Sequence, residues 1–233
     1  TDGADACESK DSDTALCADN GANTGRCVEC ETSAECTDPL RPTCGADGLC
    51  KGCIEHADCT SGVCNRDSGE CVPASQIFYL STTGTDDADC GATGDECKSV
   101  SHVVTTRLPS DTNRNWLKLG EGLFVDSISL SSTTLHLIGT LGDTGTTISS
   151  AGAGRIVTVD AGQVLADSIK LSNGTDGLYC EGSATVRIFD SEISNNNMNG
   201  LIATECTLEV HESRIENNGF VGASVNSGTL GLY

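Results

Sequence analysis

The feature that most constrains the fold is a repeat near the carboxyl end of the chain. Two copies, residues 177–196 and 200–218, align with a shift of about 22 residues, a period typical of stacked repeat folds. In each copy apolar residues alternate as in short β-strands, and Asn and Gly, which tolerate turns, follow them. A unit this short cannot enclose a core, so successive units must stack, each strand pairing in parallel with its copy one turn later.

This register predicts which side chains lie over one another. The apolar pairs are Val186 with Leu208, Ile188 with Val210, and Ile193 with Ile215. The surface pairs are Arg187 with Glu209, Glu192 with Arg214, and Phe189 with His211. Each opposite-charge pair is expected to contribute roughly 0.2–1 kcal/mol.

Paired asparagines mark the corner of each repeat. Asn195 and Asn196 are expected to lie over Asn217 and Asn218 and to form a ladder of side-chain amide hydrogen bonds. With their Asn-Asn and Gly corners, the last two-thirds of the chain resemble the right-handed parallel β-helix proteins of the pectin-lyase-like superfamily. The resemblance implies a fold but no activity, because that superfamily includes polysaccharide lyases and hydrolases, adhesins and structural modules.

The cysteines divide the chain. Eleven of the 15 lie in the first 71 residues, where large apolar side chains are too few to build a core. Disulfides must therefore substitute for a core, at roughly 2–4 kcal/mol each. Such cysteine density is typical of an oxidising compartment, so we predict an extracellular or cell-surface protein.

Most of these cysteines form units of four that begin Cys-x5-Cys, and they resemble the cysteine-rich repeats of bacterial surface proteins. We favour first-to-third and second-to-fourth pairing within each unit. The two complete units are Cys30, Cys36, Cys44 and Cys50, then Cys53, Cys59, Cys64 and Cys71.

Two further questions concern these cysteines. An alternative is a zinc site made of Cys27, Cys30, Cys50 and Cys53, whose spacing suits one but which gives Cys36 and Cys44 no role. Cys7, Cys17 and Cys27 fit the last three positions of an earlier unit. Its first cysteine is expected before the start of the sequence, which leaves one of these three thiols unpaired.

The predicted organisation is an all-β chain in four parts. Residues 1–71 are the disulfide-rich, loop-dominated repeats, 72–75 a linker, 76–110 an N-terminal cap and 111–233 the β-helix turns. The cap combines a strand, a loop stapled by Cys90 and Cys97, and a short helix that covers the exposed edge of the first turn. Cys180 and Cys206 either bridge neighbouring turns or stay as buried thiols.

The chain stops at Tyr233 inside a predicted strand. We expect the natural protein to continue beyond it, or this end to be buried in an end-to-end assembly.

Composition excludes some partners. A net charge of −21 lacks the positive footprint that nucleic acid needs, and no signal peptide or membrane span is visible. Oxygen donors at Asp86, Asp87 and Asp89 suit calcium, the one candidate cofactor, and the alternative is a solvated turn.

No catalytic constellation emerges from the sequence. Glycosidase chemistry needs two facing carboxylates, and the candidates by residue type show no pairing signature: Asp160, Asp167, Asp190 and Glu212. The four histidines are scattered, which gives a His-based triad no support. We therefore predict a non-catalytic structural or adhesive surface protein, a β-helix on a cysteine-rich stalk, whose partners are itself, other surface components or glycans. The alternative is a polysaccharide lyase or hydrolase whose groove lies partly beyond residue 233.

Overall fold

The computed structural model describes residues 16–18 and 27–233. The chain divides into two units, Thr1–Ala74 and Ser75–Tyr233. The question of which thiol among Cys7, Cys17 and Cys27 is unpaired falls partly on residues outside the described ones, although Cys27 itself is disulfide-bonded.

The first unit consists of short antiparallel strand pairs joined by loops. The strands are β1 Leu16–Cys17, β2 Cys27–Val28, β3 Thr43–Cys44, β4 Cys50–Lys51, β5 Cys64–Asn65 and β6 Glu70–Cys71. β1 pairs with β2, β3 with β4 and β5 with β6, and 3₁₀ turns at Ser33–Glu35 and His56–Asp58 precede the second and third pairs.

Disulfides join the cysteines first to third and second to fourth, the pairing that we favoured, although cysteine spacing alone does not fix the connectivity. The bonds are Cys30–Cys44, Cys36–Cys50, Cys53–Cys64 and Cys59–Cys71. Because Cys27, Cys30, Cys50 and Cys53 are all oxidised, no thiolates are left for the alternative zinc site.

The two four-cysteine units, which we call modules, also contain equivalent hydrogen bonds. Glu35 accepts the backbone N–H groups of the two residues at 31 and 32, and Asp58 accepts those at 54 and 55. The third cysteine of each module, Cys44 or Cys64, donates its N–H to the side chain of Ser33 or His56. A short polar turn therefore repeats with the cysteines, although its sequence differs between the modules.

The second unit is a parallel β-helix of about five turns, which confirms the predicted fold class. Every pairing between its strands is parallel. The strands are β7 Ile77–Leu80, β8 Trp116–Leu119, β9 Gly122–Val125, β10 Ile128–Ile138, β11 Thr146–Ser149, β12 Val157–Asp167, β13 Lys170–Ser172, β14 Leu178–Glu181, β15 Thr185–Phe189, β16 Glu192–Ser194, β17 Leu201–Thr204, β18 Thr207–His211, β19 Arg214–Glu216, β20 Ala223–Asn226 and β21 Thr229–Leu232.

The strands form three ladders, which we call sides 1, 2 and 3. Side 1 contains β7, β8, the second halves of β10 and β12, and then β15, β18 and β21. Side 2 contains β9, β11, β13, β16 and β19. Side 3 contains the first halves of β10 and β12, then β14, β17 and β20. The long strands β10 and β12 pass from side 3 to side 1 through a shift of register at residues 130–133.

Inward-facing residues of the three sides build one continuous core. On side 2 the column Phe124, Ile148, Leu171 and Ile193 is at most 3% exposed, and Ile215 packs against it. Ile193 pairs with Ile215, Val186 with Leu208 and Ile188 with Val210, the predicted register of 22 residues. Alternation within each strand sends one set of side chains inward, so a short repeat suffices to build the core.

The amino-terminal edge of the β-helix is covered as predicted. β7 pairs with β8, and the Cys90–Cys97 disulfide closes the loop that follows β7. A short helix follows, α1 at Val100–His102, which continues as a π-helical turn over Val103–Arg107 and ends before Pro109. Val100 and Val103 are fully buried in the core.

We expect Ile193→Ala to lower the free energy of unfolding by about 2–5 kcal/mol, because it opens a cavity in the side 2 column. Chemical denaturation of the full chain measures this loss. Val125→Ala is the matched control: Val125 lies on the same side but is 63% exposed, so the change should stay within about 0.5 kcal/mol. Equal losses in the two variants would contradict the packing described here.

Candidate functional site

A row of charged side chains crosses the outer surface of side 2. Lys170, Glu192 and Arg214 occupy the same position on β13, β16 and β19. The Lys170 Nζ lies 2.7 Å from the Glu192 Oε1, which also accepts a 2.5 Å hydrogen bond from the Ser194 hydroxyl. These bonds, the one from Lys170 first, lower the pKa of Glu192.

The predicted Glu192 and Arg214 pair is therefore in register but not in direct contact. Arg214 lies 3.5 Å from Glu216 on its own strand, and it affects Glu192 only through a weaker electrostatic attraction. Glu192 turns instead toward Lys170, one turn earlier. The sequence repeat did not show this, because Lys170 lies upstream of both clear copies.

A second row lies on side 1. Arg187 pairs in register with Glu209, and the Phe189 ring stacks on His211 at 4.6 Å between centroids, as the repeat predicted. The stack continues to Tyr233 at 4.5 Å. The His211 Nε2 also lies 3.8 Å from the Glu209 carboxylate.

The predicted asparagine ladder runs along the corner after side 2. The Asn196 Nδ2 donates to the Asn218 Oδ1 at 3.0 Å and to the Leu171 carbonyl at 3.3 Å. The Asn196 Oδ1 accepts the Gly174 N–H at 2.9 Å. Asn196 is 2% exposed, so these bonds replace water for a buried amide.

The other two predicted asparagines have a conformational role. Asn195 and Asn217 adopt left-handed backbone, with φ of 57° and 54°, and Asn173 does the same one turn earlier with φ of 59°. Asparagine tolerates this conformation better than most residues, which explains its recurrence at this corner.

A groove lies beside the charged row of side 2, under the loop that links β10 to β11. One part, of about 350 Å³, is lined by residues 140–143 and 145 of the loop, by the start of β11, and by Lys170 and Glu192. The adjoining part, of about 470 Å³, is lined by Leu141, Asp190, Glu212 and Arg214 among others. We call the two parts together the side 2 groove.

The carboxylates considered as catalytic candidates are scattered by the fold. Asp190 and Glu212 both line the side 2 groove. Asp160 is exposed at the end of side 3, whereas Asp167 is fully buried at the end of β12. The groove therefore brings together two of the four.

A polar network on side 3 was not predicted from the sequence. The buried Asp176 accepts hydrogen bonds from the Asn199 backbone and side chain at 3.1 and 2.8 Å, and its Oδ2 lies 3.4 Å from the Arg155 Nε. The Arg155 guanidinium lies 3.5 Å above the Tyr179 ring, and Tyr179 donates to Glu181. That last bond raises the pKa of Tyr179. Only the recurrence of Gly after Asp176 and Asn199 hinted at this pairing.

Asp86, a predicted calcium ligand, binds the backbone directly before the short helix of the N-terminal cap. Its carboxylate accepts the backbone N–H groups of Lys98 and Ser99 at 2.8 and 2.9 Å and the Ser99 hydroxyl at 2.5 Å. Partial burial opposes ionisation, but these hydrogen bonds outweigh it and lower the pKa of Asp86.

The other two predicted calcium ligands serve the same loop. The Asp87 Oδ1 accepts the Asp89 N–H at 3.0 Å, and the Asp87 carbonyl contacts the His102 Nε2 at 2.9 Å. Both carboxylates are exposed. Among the described residues, the Asp86 carboxylate lies close to two other potential metal ligands, His102 and Cys90. Cys90 is oxidised in a disulfide, so its sulfur is not a free thiolate. Calcium binding by Asp86, Asp87 and Asp89 stays a prediction.

Cys180 and Cys206 form a disulfide. Cys180 lies on β14 and Cys206 directly before β18, and both sulfurs are in the core, with residue exposures of 0% and 3%. Of the two alternatives left by the sequence, the bridge between turns is therefore the one observed.

Among the described residues, no helix has the length and apolar character needed to cross a membrane. Comparison of the chain with protein-family models, with curated proteins and with solved structures finds no match.

We expect Asn196→Ala to destabilise the protein by about 1–3 kcal/mol, because it removes the acceptor of the Gly174 N–H and the donor to Asn218 in a buried site. Urea denaturation measures the loss. Asn195→Gly is the matched control, since Asn195 is exposed and glycine accepts its left-handed backbone, so little change is expected. If both variants unfold at the wild-type midpoint, the ladder does not stabilise the corner.

We expect Asp86→Ala to cost about 1 kcal/mol at neutral pH without added calcium, because it leaves the N–H groups of Lys98 and Ser99, directly before the cap helix, without their acceptor. Because the pKa of Asp86 is lowered, this stabilisation is present above the ordinary carboxyl pKa of about 3.9 and is lost as pH falls through the lower folded value. Thermal unfolding against pH measures both effects.

Asp89→Ala is the control for this prediction. Its carboxylate makes no bond to the cap helix, so the stability without calcium should stay at the wild-type level. A calorimetric calcium titration of both variants separates the two roles: a calcium site would require Asp86 and Asp89 alike. Unchanged stability in Asp86→Ala would contradict a stabilising role for these hydrogen bonds.

Proposed function

We propose that this protein is a non-catalytic structural or adhesive component of an extracellular surface, a β-helix scaffold carried by a cysteine-rich stalk. We further propose that its β-helix belongs to the pectin-lyase-like superfamily. The disulfide modules suit an oxidising compartment, and the parallel β-helix of the second unit suits a rigid body that presents side chains in rows.

The observation that supports this proposal most is the use of polar side chains along the stack. Lys170 bonds to Glu192 of the next turn, Asn196 to Asn218, and Asp176 to Asn199. Each contact ties one turn to the following one, so the side chains stabilise the stack itself. A scaffold needs such contacts between turns to keep its stack intact.

Partners of the proposed scaffold follow from its charge. A surface with a net charge of −21 repels copies of itself and other acidic polymers at long range. Adhesion would therefore depend on close contacts with neutral glycans, cationic surface components or divalent cations.

The alternative function, a polysaccharide lyase or hydrolase, is favoured by one observation. The side 2 groove is a concave surface that contains Glu192, Asp190 and Glu212. Two carboxylates facing one bond are what glycoside hydrolysis requires.

Surface labelling of intact producing cells tests the proposed role. Antibodies raised against the purified chain should label unpermeabilised cells, and mild external proteolysis should remove the label. Labelling that appears only after permeabilisation would contradict an extracellular surface role.

A parallel assay addresses the alternative. The full chain is incubated with a panel of neutral and acidic polysaccharides, and new reducing ends and unsaturated sugar products are measured. We expect no turnover above that of a Glu192→Gln, Asp190→Asn, Glu212→Gln triple variant. Turnover that this variant loses would favour the enzyme and contradict the scaffold.

A further inference from the structure

The Cys180–Cys206 disulfide closes one complete turn of the β-helix into a covalent ring. Between the two cysteines, 26 positions apart, the chain passes through β15 on side 1, β16 on side 2 and β17 on side 3. It then turns the corner at Glu205, which has φ of 60°, and reaches Cys206. The ring therefore contains one strand from each side.

The bond lies inside the stack and not on its surface. Cys180 belongs to an inward column of side 3, between its register partners Val159 and Ala203, and all three are at most 1% exposed. Cys206 is 3% exposed. A reductant in solvent therefore cannot reach either sulfur until the neighbouring turns have opened.

The rest of the stack is held together by weaker, sequential contacts. In a solenoid each turn contacts only its neighbours, so turns can open one after another from an end. Each parallel pairing between turns near the ring consists of three to five register pairs. Tension along the chain breaks such contacts a few at a time.

We propose that the Cys180–Cys206 ring is a mechanical clamp that arrests the unwinding of the β-helix under tension. Chain on the carboxyl side of Cys206 can peel away, but tension then passes directly through the disulfide to Cys180. The turn enclosed by the ring carries no tension. Its strands β15, β16 and β17 therefore stay paired with the preceding turn until the turns on the amino side of Cys180 unfold. The clamp gives a load-bearing role to the proposed scaffold and depends on that function only for its biological use.

The clamp predicts that tension cannot extend the chain between Cys180 and Cys206. The chain from Cys180 to Cys206, a sequence separation of 26, would extend to about 90 Å if free, whereas the disulfide holds its ends at a Cα separation of 6.0 Å. The chain after Cys206, about 27 residues long, is the segment that can peel from the carboxyl end before the ring is reached.

Single-molecule stretching of the full chain, with handles at both ends, tests the proposal. In the wild type we expect an arrested intermediate after about 90 Å of chain has been extended from the carboxyl end. The chain between Cys180 and Cys206 should add nothing to the measured extension. In Cys180→Ala, Cys206→Ala the arrest should disappear, and the fully stretched chain should be longer by about 85 Å.

A matched control is Cys90→Ala, Cys97→Ala, which removes the other disulfide of the second unit. It should add only about 20 Å of length and leave the arrest unchanged. Circular dichroism establishes that each variant is folded before stretching. Should either variant not fold, stretching the wild type before and after reduction under tension supplies the same comparison.

Hydrogen exchange gives an independent readout without force. In the wild type, the amides of β17 should exchange far more slowly than those of β20, and in Cys180→Ala, Cys206→Ala this difference should become smaller. A wild-type trace without an arrest, or an arrest retained in that variant, would overturn the clamp. Neither outcome bears on the surface-labelling test, so failure of the clamp and failure of the scaffold role are distinguishable.

Discussion

Parallel backbone pairing between successive turns, in one fixed register, is the constraint on which the β-helix depends. A slip of one residue would send every inward side chain of a strand to the surface, because strand side chains alternate between faces. The register is held from inside by columns such as Leu171, Ile193 and Ile215, and from outside by Lys170 with Glu192. Core and surface contacts thus specify the same alignment.

The corners between the three sides allow each turn of the β-helix to close. Left-handed backbone recurs once per turn after side 2, at Ala151, Asn173, Asn195 and Asn217. Two further corners repeat in the same way, at Ser168, Asp190 and Glu212, and at Gly182, Glu205 and Ser227. Because short polar residues and glycine occupy most of these positions, the side chains of the corners remain available for hydrogen bonds along the stack.

The two units solve the problem of stability in different ways. Disulfides and short polar turns stabilise the folded structure of residues 27–74, since many of the buried side chains there are cysteines. In residues 75–233 one apolar core runs through all turns, and disulfides occur at the cap and at one ring. The proposed scaffold would gain from this combination, because a short cross-linked unit and a long stacked one resist unfolding by independent means.

The sequence by itself determined the parts of the structure that follow from local periodicity. The repeat specified the β-helix and the register of Ile193 with Ile215, and cysteine spacing specified the four-cysteine units, although not which cysteines in a unit are joined. These features depend on neighbours at a constant sequence offset. Tertiary structure alone decided contacts without such an offset. Glu192 bonds to Lys170 and not to Arg214, Asp86 binds the backbone of Lys98 twelve residues away, and Cys180 reaches Cys206 across 26 positions. Side-chain direction and the path of the corners set these partners, and neither is encoded in the period of the repeat.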